Sequence, residues 1–247
     1  MARLRSETGC PWDRAQDTRS LLPYLIEESC EFIDAAQAKD YTHMCEELGD
    51  VLFQVVFHSQ VASELGAFDA GDVVQGICEK MLRRHPHVFG GEHVESAGEV
   101  RRVWEKVKAA EHKGEAPKSA MDKVSKSLPA LAKAQELQRR AAKVGFDWND
   151  DSASFSKVRE EFMEFEKANQ DPGRSRLESM EDEFGDILFS LVNVARHSGL
   201  NAGTALMRAN SKFERRFRKM EELAGGTLEG KTEAAMLDLW AKAKGSV

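Results

Sequence analysis

Apolar residues recur along this chain at helical spacing, and no convincing alternating stretch marks a strand. Val51, Leu52, Val55 and Val56 lie on one helical face, and Ile187, Leu188, Leu191 and Val192 repeat the arrangement further on. With the start and stop signals added, the pattern predicts helices over about 21–39, 43–64, 71–84 and 98–112, then 129–143, 153–169, 176–198, 203–222 and 232–244. Pro23 falls in a first helical turn, where its missing N–H is tolerated. The other prolines punctuate loops or helix starts, and His85-Pro86-His87 reads as a turn. The fold class expected is all-α.

The polar positions repeat as well. Glu27-Glu28-x-x-Glu31 followed by Glu46-Glu47-Leu48-Gly49-Asp50 returns as Glu160-Glu161-x-x-Glu164 followed by Asp182-Glu183-Phe184-Gly185-Asp186. Lys80-x-x-Arg83-Arg84 returns as Lys212-x-x-Arg215-Arg216, and Trp104-x-Lys106-x-Lys108 as Trp240-x-Lys242-x-Lys244. Trp12 and Trp148 open the two stretches. A tandem pair of helical modules explains this order, with units at 1–112 and 128–247 and a polar linker at 113–127.

Each acidic block sets carboxylates at i, i+1 and i+4, within about a 100° arc of one helix. Two such helices face to face would gather about six carboxylates, a repulsive arrangement unless a cation sits among them. A solvated helix face is the bland alternative, weakened by recurrence in both halves and by the apolar run beside each second block. A glycine directly before Asp50 and Asp186 costs about 1 kcal/mol relative to alanine, which suggests a close neighbour, either a helix or a ligand. Oxygen-only donors suit magnesium or manganese, hard ions that keep waters and bind phosphates. A ferritin-like di-iron centre would want Glu-x-x-His, which neither block has.

Lys80 with Arg84, and Lys212 with Arg216, share helix faces at i, i+4. They could hold phosphate or simply complement a helix C-terminus. Trp104 and Trp240 could stack on a base or serve as buried amphipathic side chains. No Walker A loop and no nucleophile–base pairing is visible.

Composition narrows the class. The 247 residues are 41% hydrophobic and 31% charged, enough apolar material for a core. No apolar run is long enough to span a bilayer, and with no apolar stretch behind Arg3 and Arg5 a signal peptide is not expected. The four cysteines lack C-x-x-C spacing, so reduced thiols in a cytoplasmic protein are expected. A net charge of -7 disfavours direct nucleic-acid binding but not cation binding.

The acidic signature resembles that of the MazG nucleoside triphosphate pyrophosphohydrolases. Gly9-Cys10-Pro11-Trp12-Asp13, Arg83-Arg84-His85-Pro86-His87-Val88-Phe89, Val144-Gly145-Phe146-Asp147-Trp148 and Phe213-Glu214-Arg215-Arg216-Phe217 also look like MazG segments, in the order of the full-length tandem form. The resemblance implies an all-α NTP pyrophosphatase fold, magnesium dependence, a homodimer, and conversion of an NTP or dNTP to NMP and pyrophosphate. It implies metal ligands at Glu160, Glu161, Glu164, Glu183 and Asp186, with counterparts Glu27, Glu28, Glu31, Glu47 and Asp50. Lys212 and Arg216 would hold phosphates with Trp240 near the nucleotide, and Lys80, Arg84 and Trp104 would be their N-terminal counterparts. Ser179 stands where relatives can carry a lysine, with Arg174 and Arg176 nearby.

The expected role is nucleotide-pool housecleaning, with alarmone hydrolysis a conceivable extension. The alternatives are an enzyme dedicated to one nucleotide, of the dUTP or phosphoribosyl-ATP kind, and a noncatalytic helical protein binding metal or nucleotide for regulation.

Overall fold

The computed structural model describes residues 1–111, 119–148, 151–173 and 175–246. Among the described residues there is no strand, and the chain is all-α. It divides into two compact units, Met1–Ala116 and Pro117–Val247. Much of the expected linker, and Arg174, lie outside the described residues.

The first unit is built on a hairpin of α2 (Thr18–Ala38) and α3 (Tyr41–Glu64), after a short α1 (Pro11–Ala15). The hairpin turn is local chemistry. Lys39 takes the left-handed conformation (φ 57°) and donates its N–H to the carbonyls of Ala35 and Ala36, closing α2. Asp40 then accepts from the N–H groups of Thr42 and His43, opening α3. α2 begins earlier than the apolar periodicity suggests, because Asp17 and Ser20 form a reciprocal capping box. Pro23 therefore sits inside the helix rather than in its first turn. Gly66, at φ 68°, ends α3 with its N–H on the carbonyl of Ser63.

Leu21, Phe57 and Val61 form the buried cluster where α2 meets α3, with Met1 and Tyr24 packed against it. Trp12 lays its ring edge-on to Tyr24 and Phe57. Arg5 ties the N-terminal segment down: it forks onto the Glu64 carboxylate at 2.9 and 2.6 Å and donates to the carbonyls of Asp13 and Gln16. α4 (Ala70–Arg84) packs on α3 and on α6 (Ala97–Glu111). Between them the expected turn at His85-Pro86-His87 is a single helical turn, α5 (Pro86–Phe89), nucleated by its proline.

The second unit pairs α8 (Asp151–Gln170) with α9 (Arg176–His197), and α7 (Ala130–Lys143) lies on α9. Gln138, buried in α7, donates to the carbonyl of Phe189 at 2.7 Å. Gln135 bridges the turn after α9 by donating to the carbonyl of Leu200 and accepting from Ala202 N–H. α10 (Ala202–Leu223) and α11 (Glu233–Ser246) pack through Phe213 and Trp240, whose rings lie 5.4 Å apart.

One expectation is corrected by burial. The apolar face beside the acids does not border a core on all sides. Val192 and Ile187 are buried, but Leu48, Leu52, Val55, Leu188 and Leu191 are exposed. A single partner helix covers one stripe of α3 or α9 and leaves the far stripe bare.

Candidate active site

The helix hairpins set the acids against each other. In the first unit, Glu28 and Glu31 of α2 and Glu47 of α3 each bring one carboxylate oxygen within 4.8 Å of the others. Glu47 is only 5% exposed. One of its oxygens meets His43 Nε2 at 2.7 Å, and the other, Oε2, is buried with no hydrogen-bond partner among the described residues. Burial raises the Glu47 pKa above the usual carboxylate range, opposed by His43 and reinforced by Glu31 and Asp50. Glu28 is also raised, first by desolvation and then by Asp50 and Glu31, while a hydrogen bond from Gln54 pulls the other way.

The second unit repeats the arrangement with Glu161 and Glu164 of α8 and Glu183 of α9, again within 4.8 Å. Glu161, 5% exposed, is the buried member. The raised pKa of Glu164 follows from desolvation and then from Glu161 and Glu183, with Lys157 opposing. Lys157 Nζ sits 2.7 Å from Glu161 and 2.9 Å from Glu160, and these two carboxylates raise its own pKa. A cavity of about 480 Å³ opens beside these acids, lined in part by Glu164, Lys167, Ser179 and Glu183.

Not every expected ligand joins these groups. Glu27 and Glu160 are exposed on the outer side of their pairs, and Glu160 is taken up by Lys157. Asp50 lies close enough to act on Glu28 and Glu47, but it and Asp186 are exposed and stand outside the 4.8 Å groups. Gly49 and Gly185 face open space, so the close neighbour expected at each is not supplied by the described residues of this chain.

The basic residues differ between the units. Arg84 forks onto Glu111, with Nη2 and Nε of the guanidinium 2.7 and 3.1 Å from Oε2, and Arg83 Nε donates to Oε1 at 2.7 Å. The Arg84 guanidinium lies over the Trp104 ring, 5.0 Å from its centroid. In the second unit Lys212 is exposed, and Arg216 Nε is buried without a partner among the described residues. Trp240 lines an apolar cavity of about 350 Å³ with Phe213, Phe217, Met236 and Leu237. Lys80 is half-buried on α4.

Sequence reasoning missed three groups: His43, Lys157 and Glu111. The first two had a readable signal, since each stands at i−4 from the buried acid of its site, where helical side chains meet. Glu111 had none, because its partners lie on another helix.

The site can hold a hard cation. The donors are carboxylate oxygens, three converge in each unit, and Glu47 Oε2 is a buried carboxylate oxygen without a hydrogen-bond partner among the described residues. No helix among the described residues is long and apolar enough to cross a membrane, and all four cysteines are free.

A family model for the MazG nucleotide pyrophosphohydrolase domain matches residues 16–89, the stretch that carries α2, α3, α4 and the first acidic group. The nucleoside triphosphate pyrophosphohydrolase/pyrophosphatase MazG of Thermotoga maritima is 46% identical over 99% of this chain and 93% of its own length. The nucleoside triphosphate pyrophosphohydrolase of Escherichia coli is 43% identical over 99% of this chain and 94% of its own. An uncharacterized Bacillus subtilis protein, YabN, is 47% identical over 98% of this chain, which spans 49% of that longer protein. With the paired acidic hairpins and full-length similarity together, the chain belongs to the MazG family of nucleotide pyrophosphohydrolases.

Proposed function

We propose that this chain is a magnesium-dependent nucleoside triphosphate pyrophosphohydrolase, converting an NTP or dNTP and water to NMP and pyrophosphate. The observation that carries the reading is the convergence of three carboxylates, one of them buried, in each helix hairpin. That is a costly arrangement for a structural surface and a useful one for a cation that must meet phosphates.

Glu161, Glu164 and Glu183 would hold the ion in the second unit, completed by Asp186 from the next turn of α9. Glu28, Glu31, Glu47 and Asp50 are the counterparts in the first. Magnesium, or manganese in its place, supplies neutralisation of phosphate charge. One carboxylate of the group orients the attacking water and accepts its proton. The water oxygen bonds to the α-phosphorus, the bond to the α,β-bridging oxygen breaks, and pyrophosphate leaves with that oxygen. Lys212 and Arg216 hold the departing phosphates, and the apolar cavity around Trp240 receives the base by stacking, which needs no particular base edge.

The two units are read as a tandem duplication, with domains at 1–112 and 128–247. The bare stripe on α3 and α9 is covered in a homodimer, which also brings a neighbour to Gly49 and Gly185. Free thiols fit a cytoplasmic enzyme of nucleotide-pool housecleaning. The second unit carries most of the hydrolysis, a reading supported by the open cavity beside Glu164 and Glu183, large enough to admit a ligand. A panel of NTPs and dNTPs assayed for pyrophosphate with magnesium, and again with a chelator, tests this reading. Turnover of several nucleotides that stops on chelation is expected. Turnover of a single nucleotide would replace it with the dedicated-enzyme reading, and none at all with a regulatory binding protein.

A further inference from the structure

The two candidate phosphate seats are chemically unequal, and the difference lies outside the acids. At the end of α6, Glu111 meets both arginines of the first unit. Its Oε2 accepts from Arg84 at 2.7 Å and its Oε1 from Arg83 at 2.7 Å. The Arg84 and Glu111 side chains are each only 14% exposed, so the pair is largely withdrawn from water. Trp104, on the same helix as Glu111, presents its ring to the Arg84 guanidinium, 5.0 Å from the ring centroid. A guanidinium fork fits the paired oxygens of a carboxylate and those of a phosphate equally well.

Among the described residues of the second unit, no such partner meets Arg216 Nε. Glu111 follows Trp104 at i+7, and the residue at i+7 from Trp240 is Val247, which has no side-chain carboxylate. Arg216 leaves a buried Nε without a hydrogen bond among the described residues. Leaving such a donor unpaired is unfavourable, and an incoming phosphate oxygen relieves it.

We propose that Glu111 is a specificity-determining residue that sets which unit takes the triphosphate: its carboxylate occupies the Arg83 and Arg84 forks as a phosphate mimic, so the first unit binds the polyphosphate tail weakly while Arg216 receives it in the second. The inference rests on the reading that Arg84 and Arg216 are phosphate ligands. Two arginines hold the Glu111 carboxylate well below the ordinary range, at about 2, so it stays anionic at any pH at which the enzyme works. Displacing it requires a ligand of higher charge, or movement of the end of α6.

The test uses the full chain with Lys212→Ala and Arg216→Ala, so that the first unit is the seat under observation, and titrates magnesium pyrophosphate by calorimetry. Adding Glu111→Gln is expected to tighten pyrophosphate binding about tenfold, the size of one charge-assisted contact released. Glu111→Asp, which keeps the charge, is expected to stay near the parent. Adding Arg84→Ala to Glu111→Gln is expected to remove the gain. Circular dichroism verifies the fold of each variant, and Glu111→Ala substitutes for the Gln variant if that one loses helicity. Unchanged or weaker binding on removing the Glu111 carboxylate overturns the inference, because Glu111 would then serve only to position Arg84. A gain that survives Arg84→Ala overturns the phosphate reading on which it rests.

Discussion

Leu52→Asp should take the protein from dimer to monomer. Leu52 and Leu48 lie one turn apart on α3 and are 61% and 51% exposed in the chain by itself. Fully burying a leucine side chain stabilises by about 1.5–3 kcal/mol, so covering the exposed fraction of Leu52 contributes about 1–2 kcal/mol per protomer. A two-fold interface counts every contact twice, which makes the loss on removing Leu52 about 2–4 kcal/mol, a rise in Kd of about 30- to 1,000-fold. The new carboxylate adds to this, since it would be desolvated without a partner. Sedimentation equilibrium over a range of concentrations reads both values. The wild-type chain is expected at twice its 27.6 kDa at micromolar concentration, and the variant at or near 27.6 kDa with unchanged helicity. A wild-type monomer, or a variant that dimerises as tightly as its parent, would refute the reasoning that the bare stripe is an interface between copies.

Other predictions concern the acids. Desolvation raises the pKa of Glu28, Glu47 and Glu164, so the native state keeps these protons to higher pH than the unfolded chain. Their contribution to stability therefore falls as pH rises from the ordinary carboxylate range through the raised values. In chelator, Glu28→Gln should melt above the wild type at pH 7–8 and lose that advantage near pH 4, and magnesium should raise the wild-type melting temperature more as pH increases. Calorimetric melting curves with and without magnesium check both, and a wild type that melts no lower than Glu28→Gln at pH 8 in chelator would count against the crowding. Glu161→Gln with Glu164→Gln should abolish most turnover, whereas Glu28→Gln with Glu31→Gln should leave a substantial remainder. The opposite ranking in a pyrophosphate assay would move the principal site to the first unit.

Much of this was readable in the sequence for one physical reason: helices encode their faces in a short period. The acids at i, i+1 and i+4 fall on one face whatever surrounds them, so the two acidic helices of each unit could be set against each other in advance, while the choice of five ligands per unit came from the family resemblance. The periodicity did not say how each hairpin splays, and hence it gave no sign that Glu27 and Glu160 point outward. Nor did it show that Leu52 and Leu188 would be left bare, since cover depends on which stripe the partner helix takes. The earlier start of α2 comes from Asp17 and Ser20, a capping signal that lies before the apolar run. Glu111 meets Arg84 across two helices, and a contact of that kind leaves no periodic trace.

The central claim is that these acidic hairpins cleave a triphosphate between its α- and β-phosphorus. It is tested most directly by running the reaction with magnesium in ¹⁸O-labelled water and weighing the products by mass spectrometry, for the wild type and for the chain carrying Glu28→Gln and Glu161→Gln together. The account predicts labelled NMP, unlabelled pyrophosphate, and no products from the double variant. Nucleoside diphosphate with inorganic phosphate, label in the pyrophosphate, or full turnover by the double variant would contradict it.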